Sequence, residues 1–147
     1  MSVEENKAIM RRLYEIVKSG KFDEADEIIA VDMVDHDPVP GAGQGVAGFK
    51  ETARILHNAF SDMQITVDHL IAEDDMVAAR FTMRGVHKGE LMGMAPTGKE
   101  VTVTGMDIMR FKDGKGVEHW ANQDDLGMMR QFGLLPAPAQ QERERGR

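Results

Sequence analysis

Val101-Thr102-Val103-Thr104-Gly105-Met106-Asp107-Ile108-Met109-Arg110-Phe111-Lys112-Asp113-Gly114-Lys115-Gly116-Val117-Glu118-His119-Trp120-Ala121-Asn122-Gln123-Asp124 is the stretch on which the fold turns. Val101, Val103, Asp107, Met109 and Phe111 share one parity of an alternating pattern, the mark of a strand with one buried face. Asp113-Gly114-Lys115-Gly116 reads as a hairpin turn into a further strand, Val117 to Asp124. Asp107 is the anomaly, a carboxylate on an otherwise apolar face. Burying an unpartnered charge is costly, so this acid must be paired, neutral or open to a cavity. The alternative is a structural acid anchoring the backbone or an arginine. A two- or four-residue turn places Asp107 opposite Trp120, on the face of Asn122 and Asp124, whereas a three-residue turn swaps the faces.

Upstream of this hairpin the same period of two runs through Met63, Ile65, Val67 and His69, and again through Val77, Ala79, Phe81, Met83 and His87. Before residue 62 the period is helical. Ser2 and Glu5 form a capping box, and Val3, Ile9, Met10, Leu13, Ile16 and Val17 follow at helical spacing until Gly20. A shorter helix is expected from Asp23 to Ala30, a brief strand from Met33 to His36, and a third helix from Val46 to Phe60 after a Pro- and Gly-rich loop. Helices followed by an antiparallel meander predict an α+β fold. Residues 1–135 are expected to form one domain and 136–147 a polar, frayed tail.

The 147 residues suit a single core with room for a pocket. A net charge of -7 argues against nucleic acid or an anionic membrane as partner. The N-terminus lacks the pattern of a signal peptide and no apolar run approaches membrane-spanning length, so a cytoplasmic protein is expected. With no cysteine, thiolate metal sites and disulfides are excluded. His36, in Asp35-His36-Asp37-Pro38, has no His-x-His or His-x-x-x-His partner, so it is read as a pocket residue and no metal is expected. Gly93 to Lys99 imitates a phosphate loop, but Glu100 and a strand follow where Ser or Thr and a helix are required. His87 at a strand end and Tyr14 beside the Leu13 stripe are candidates for a cavity wall, with core packing as the alternative. The 12 methionines suit an adaptable apolar lining.

His87-Lys88-Gly89-Glu90-Leu91-Met92-Gly93-Met94-Ala95-Pro96-Thr97-Gly98-Lys99, then Phe111-Lys112-Asp113-Gly114, then Glu118-His119-Trp120 with Asp124-Asp125-Leu126-Gly127 make the chain resemble the SnoaL-like polyketide cyclase (ester cyclase) family of the nuclear transport factor 2-like superfold. The resemblance runs from the first helix to Gly133. It implies a cone in which a strongly bent sheet wraps the helices around a deep apolar pocket, and homodimers built sheet to sheet. It also implies a cofactor-independent aldol-type cyclisation, lyase or isomerase reaction on a hydrophobic carbonyl compound such as a polyketide. By motif position Asp124 would be the acid and base, with Asp107 as its partner. Tyr14, His36, Phe60, His87, Trp120 and Asn122 would hold the substrate. Two other readings stand beside it: a pocketed binding protein for a hydrophobic small molecule, and a hydrolase in which Asn122 between Asp107 and Asp124 activates water.

Overall fold

The computed structural model describes residues 2–135, so the tail expected at 136–147 lies outside the described residues. Helix α1, Val3–Ser19, begins where Ser2 Oγ accepts from the Glu5 N–H at 3.0 Å. It ends at Gly20 in the left-handed conformation (φ 80°). Met10, Leu13 and Ile16 are its buried stripe. The expected second helix is instead a short 3-10 helix, Phe22–Glu27. The β-branched Ile28-Ile29 pair that follows is drawn into the sheet, where the Ile28 carbonyl accepts from the Gly116 N–H at 2.8 Å. Strand β1 is Ile29–Asp35, and helix α2 is Gly45–Ala59. Strands β2 (Phe60–Glu73), β3 (Met76–His87), β4 (Glu100–Lys112) and β5 (Lys115–Gln123) then form the meander. A further helix, α3 (Asp125–Phe132), follows β5, where the alternating pattern assigns no element.

The sheet order is β1-β5-β4-β3-β2. The meander is antiparallel as expected, but β1 joins β5 in parallel, which makes the five-stranded sheet mixed. The class is α+β, with helices packed on one face of that sheet. Two apolar clusters hold the layers together. One joins Met10, Leu13 and Ile16 to Ile29, Met33, Val77, Met109 and Phe111, and the other joins Phe60, Met63, Met83, Val101 and Val103 to Met128 and Phe132 of α3. Among the described residues no helix is long and apolar enough to cross a membrane.

Two of the sheet's register shifts decide which way β5 and the second half of β2 face. Asp113 and Gly114, at φ 51° and 80°, form a two-residue turn of the kind favoured in hairpins. Lys112 pairs with Lys115 and Phe111 with Gly116, but the next pair is Arg110 with Glu118, so Val117 is an extra residue. Asp107 therefore faces Ala121 rather than Trp120, and the parity of β5 is inverted. In β2, pairing passes from Val67–Phe81 to His69–Arg80 and leaves Asp68 extra. This turns His69 outward, contrary to the simple alternation, and gives its inward place to Leu70.

Candidate active site

Between the two apolar clusters lies a cavity of about 450 Å³. Its wall is largely aliphatic and aromatic, including Met10, Leu13, Phe60, Met63, Phe81, Met83, Val103 and Met128. Glycine at position 105 makes room for this wall, because a Cβ there would collide with the Phe81 ring. Such a volume falls within the usual range for small-molecule sites.

Part of the polar wall is a chain of four linked side chains. Tyr14 Oη of α1 donates to Asp107 Oδ2 of β4 at 2.6 Å, and Asp107 Oδ1 lies 2.9 Å from His119 Nε2 of β5. His119 Nδ1 lies 3.1 Å from Asp35 Oδ1 of β1. The sheet creates the arrangement. His119 is diagonal to Asp107 across the β4–β5 ladder, while Asp35 is its registered partner across the parallel β1–β5 pair. The side chains of His119, Asp107 and Asp35 are only 17%, 17% and 13% exposed.

Burial alone would lower the affinity of the His119 ring for its second proton. Hydrogen bonds and charge from Asp107 and Asp35 outweigh it and push the pKa up to about 9. Asp35 shows the reciprocal effect: burial favours its neutral form, but His119, the Asp37 N–H and nearby His36 hold its carboxyl below the usual range. The Tyr14 hydroxyl is raised far above the ordinary phenol, first by burial and then by the Asp107 charge and hydrogen bond. At neutral pH the site thus holds a phenol donor, a carboxylate, an imidazolium and a second carboxylate. Asp107 lines the cavity, and the cation beside it offsets its charge.

Of the residues singled out from sequence, Tyr14, Phe60, Asp107 and Asn122 line the cavity. The expected convergence of Trp120, Asn122 and Asp124 on Asp107 does not form, because the Val117 bulge turns Trp120 to the outer sheet face, opposite Ile108. Asn122 pairs with Met106 on that outer side, and Asp124 caps α3, so Asn122 does not sit between Asp107 and Asp124 as the hydrolase reading required. Asp124 is exposed and caps α3, accepting from the Gly127 N–H at 2.9 Å. His36 also lies outside, stacked on Trp120 at 4.9 Å and bonded to Glu118 at 2.7 Å. His87 is fully buried away from the cavity, stacked on Phe132 at 4.1 Å with Thr97 Oγ1 3.1 Å from its Nδ1. Burial holds its pKa down, so it packs as a neutral ring.

Sequence reasoning missed His119 and Asp35. Gly116, expected in the turn, lies instead inside β5 opposite Phe111, and a glycine there accompanies the bulge that the sequence reading lacked. Replacing Asp124 with alanine is accordingly expected to cost about 1 kcal/mol of stability through the lost cap, while leaving ligand binding and turnover unchanged. Thermal melts and a turnover assay on the same sample check this, and loss of turnover at intact fold would return Asp124 to the site.

The model of SnoaL-like polyketide cyclases matches residues 7–132. Aklanonic acid methyl ester cyclase DnrD from Streptomyces peucetius is 29% identical over 133 residues, covering 85% of this chain and 88% of that protein. Among solved structures, TsrD from Streptomyces laurentii superposes with a TM-score of 0.85 at 25% identity, covering 92% of this chain and 99% of that one. IdmH from Streptomyces antibioticus does so with a TM-score of 0.75 at 33% identity, covering 87% and 98%. The family model spans the cavity-wall residues of all three helices and every strand that carries the polar chain, and the protein belongs to the SnoaL-like polyketide cyclase family.

Proposed function

We propose that this protein closes a ring in a neutral, hydrophobic polyketide ester by an intramolecular aldol-type reaction, with Asp107 as general base and then general acid. The observation that carries this reading is a carboxylate at the wall of an apolar cavity, hydrogen-bonded to both Tyr14 and His119. A carbon flanked by two carbonyls is acidic enough to yield its proton to a positioned carboxylate. Asp107 takes that proton, the resulting enolate attacks a second carbonyl carbon of the same chain, and the carbonyl electron pair moves to its oxygen. Asp107 returns the proton to that oxygen. Nothing is lost or gained, so product and substrate are isomers. The Tyr14 hydroxyl is placed to share its hydrogen bond with the enolate oxygen as charge leaves Asp107, and the apolar wall holds the flexible chain near the bonding geometry. All of this is proton transfer and positioning by the chain's own residues, so a chelator is not expected to inhibit.

The reading is tested with the methyl ester of an aromatic polyketide acid that carries an unclosed β-dicarbonyl side chain. Expected are catalysed deuterium exchange at the acidic carbon and an isomeric product with one more ring. Tight binding with neither would instead favour a sequestering protein. Tyr14→Phe should retain the fold and lower kcat about 10- to 100-fold, with a smaller change in KM, in steady-state assays.

The sheet's outer face suits a second copy of the chain. Ile71, Ala78, Ile108 and Trp120 form one row across β2, β3, β4 and β5, with exposed Met106 beside it. We infer a homodimer through this face. Sedimentation should show a dimer that Met106→Glu with Ile108→Glu converts to monomer, and a wild-type monomer would overturn it.

A further inference from the structure

Asp35 makes no contact that ring closure itself requires, yet the local structure fixes it at every side. Its backbone N–H donates to Gln44 Oε1 at 2.7 Å and its carbonyl accepts from Gln44 Nε2 at 2.9 Å. The same carboxylate oxygen that faces His119 also accepts from the Asp37 N–H at 3.0 Å. One residue on, the His36 N–H donates to the His119 carbonyl at 2.9 Å, locking the β1–β5 register at this point. A side chain held this firmly against the far nitrogen of a site histidine constrains what that ring can do.

We propose that Asp35 is a positioning residue that keeps His119 a fixed imidazolium throughout the reaction, so that the moving proton passes only between Asp107 and the substrate. The proposal rests on the acid–base role given to Asp107 above. Both ring nitrogens point at carboxylates, so both carry protons and neither accepts one from substrate. When Asp107 becomes protonated it ceases to be an anionic partner for the ring. Without Asp35 the imidazolium would then stand partly buried and unpaired, and it would release its proton. With Asp35 the ring keeps a counter-ion and the enolate forms beside a cation.

The other charged groups around the ring do not supply this function. Asp37 is committed to the Ala121 N–H at 2.8 Å. Asp125 at the start of α3 lines the cavity but accepts from Gln123 Nε2 at 2.6 Å. Glu118 faces outward to His36 and Arg110. From α1, Tyr14 reaches His119 only through Asp107.

The test follows the His119 ring by nitrogen-15 NMR in histidine-labelled protein, assigned by the signal missing from His119→Gln, alongside the pH dependence of kcat. Wild type should show both ring nitrogens protonated at pH 7, with titration near the raised value of about 9. Asp35→Asn keeps an oxygen for Nδ1 but not the charge. It should move the His119 midpoint down by about one pH unit or more. The alkaline limb of kcat should move with it, kcat at pH 8 should fall about tenfold, and KM should be little changed, with partial return in Asp35→Glu. A neutral His119 ring in wild type at pH 7, or an unmoved midpoint in folded Asp35→Asn, overturns the proposal. If Asp35→Asn fails to fold, the wild-type ring and Asp35→Glu decide it by the same criteria. Absence of turnover in wild type would defeat the cyclisation reading alone, since the His119 titration reports on Asp35 without it.

Discussion

Asp107→Asn is expected to lower kcat on a cyclisable polyketide ester by roughly a thousandfold, within the 10²–10⁴ range that a positioned acid–base group contributes. The amide is nearly the same shape. It can turn its oxygen to the His119 Nε2–H and its NH₂ to the Tyr14 oxygen, replacing the contacts now made at 2.9 and 2.6 Å. What it cannot do is take a proton from carbon. KM should therefore move little, and deuterium exchange at the acidic carbon should disappear together with ring closure. Exchange that survives in the variant would show that the base is another group. A melting temperature within a few degrees of wild type separates lost chemistry from lost fold.

The largest stability effect is expected at His119. Replacing it with leucine leaves Asp35 and Asp107 mostly buried, facing one another across the place of the lost cation. Removing one partner from such a set costs about 3–5 kcal/mol at neutral pH, because the remaining charges are uncompensated. Urea unfolding should show this loss at pH 7 and a smaller one near pH 5, where the stranded carboxyls are better able to protonate.

The wild-type pH profile carries the same signature with a definite sign. The folded pKa of His119 is raised from 6.5 to about 9. Its contribution is therefore complete below about pH 6.5 and is lost as pH rises through about 9, a decline of roughly 3 kcal/mol in all. Asp35 works at the other end, since its lowered carboxyl contributes above its unfolded value and loses that contribution as pH falls through its folded one. Unfolding free energies measured from pH 5 to 10 should fall along the alkaline side in wild type, and that limb should flatten in His119→Leu. A wild-type profile flat from pH 7 to 10 would mean that the imidazolium is not held as the geometry indicates.

Much of this architecture is visible in local pattern. Ser2 and Gly20 bracket α1, the period change near residue 60 separates helix from sheet, and Asp113-Gly114 marks the hairpin. Each of these signals lies within a few neighbouring residues, where dihedral preference and side-chain period act directly. The Asp23–Ala30 segment failed because its helical spacing competes with the pairing of Ile28-Ile29 beside β5, a contact with a segment almost ninety residues away. Asp107 was legible as the anomalous acid because β4 keeps strict alternation from Val101 to Phe111, with only this carboxylate and Gly105 interrupting the apolar side.

The last strand shows where local pattern stops. In β5 one parity holds His119 and Ala121 and the other Glu118, Trp120 and Asn122, so neither is plainly the apolar side and periodicity cannot choose between them. By itself the sequence determined the α+β class, the hairpin, the inward acid and the family, since these depend on short-range pattern and on motifs in order. Only the tertiary structure decided that His119, and not Trp120 or Asp124, meets Asp107, and that Asp35 stands behind it. One bulged residue, Val117, reverses a whole strand at almost no cost in local preference, while the parallel pairing that brings Asp35 to His119 joins segments 84 residues apart.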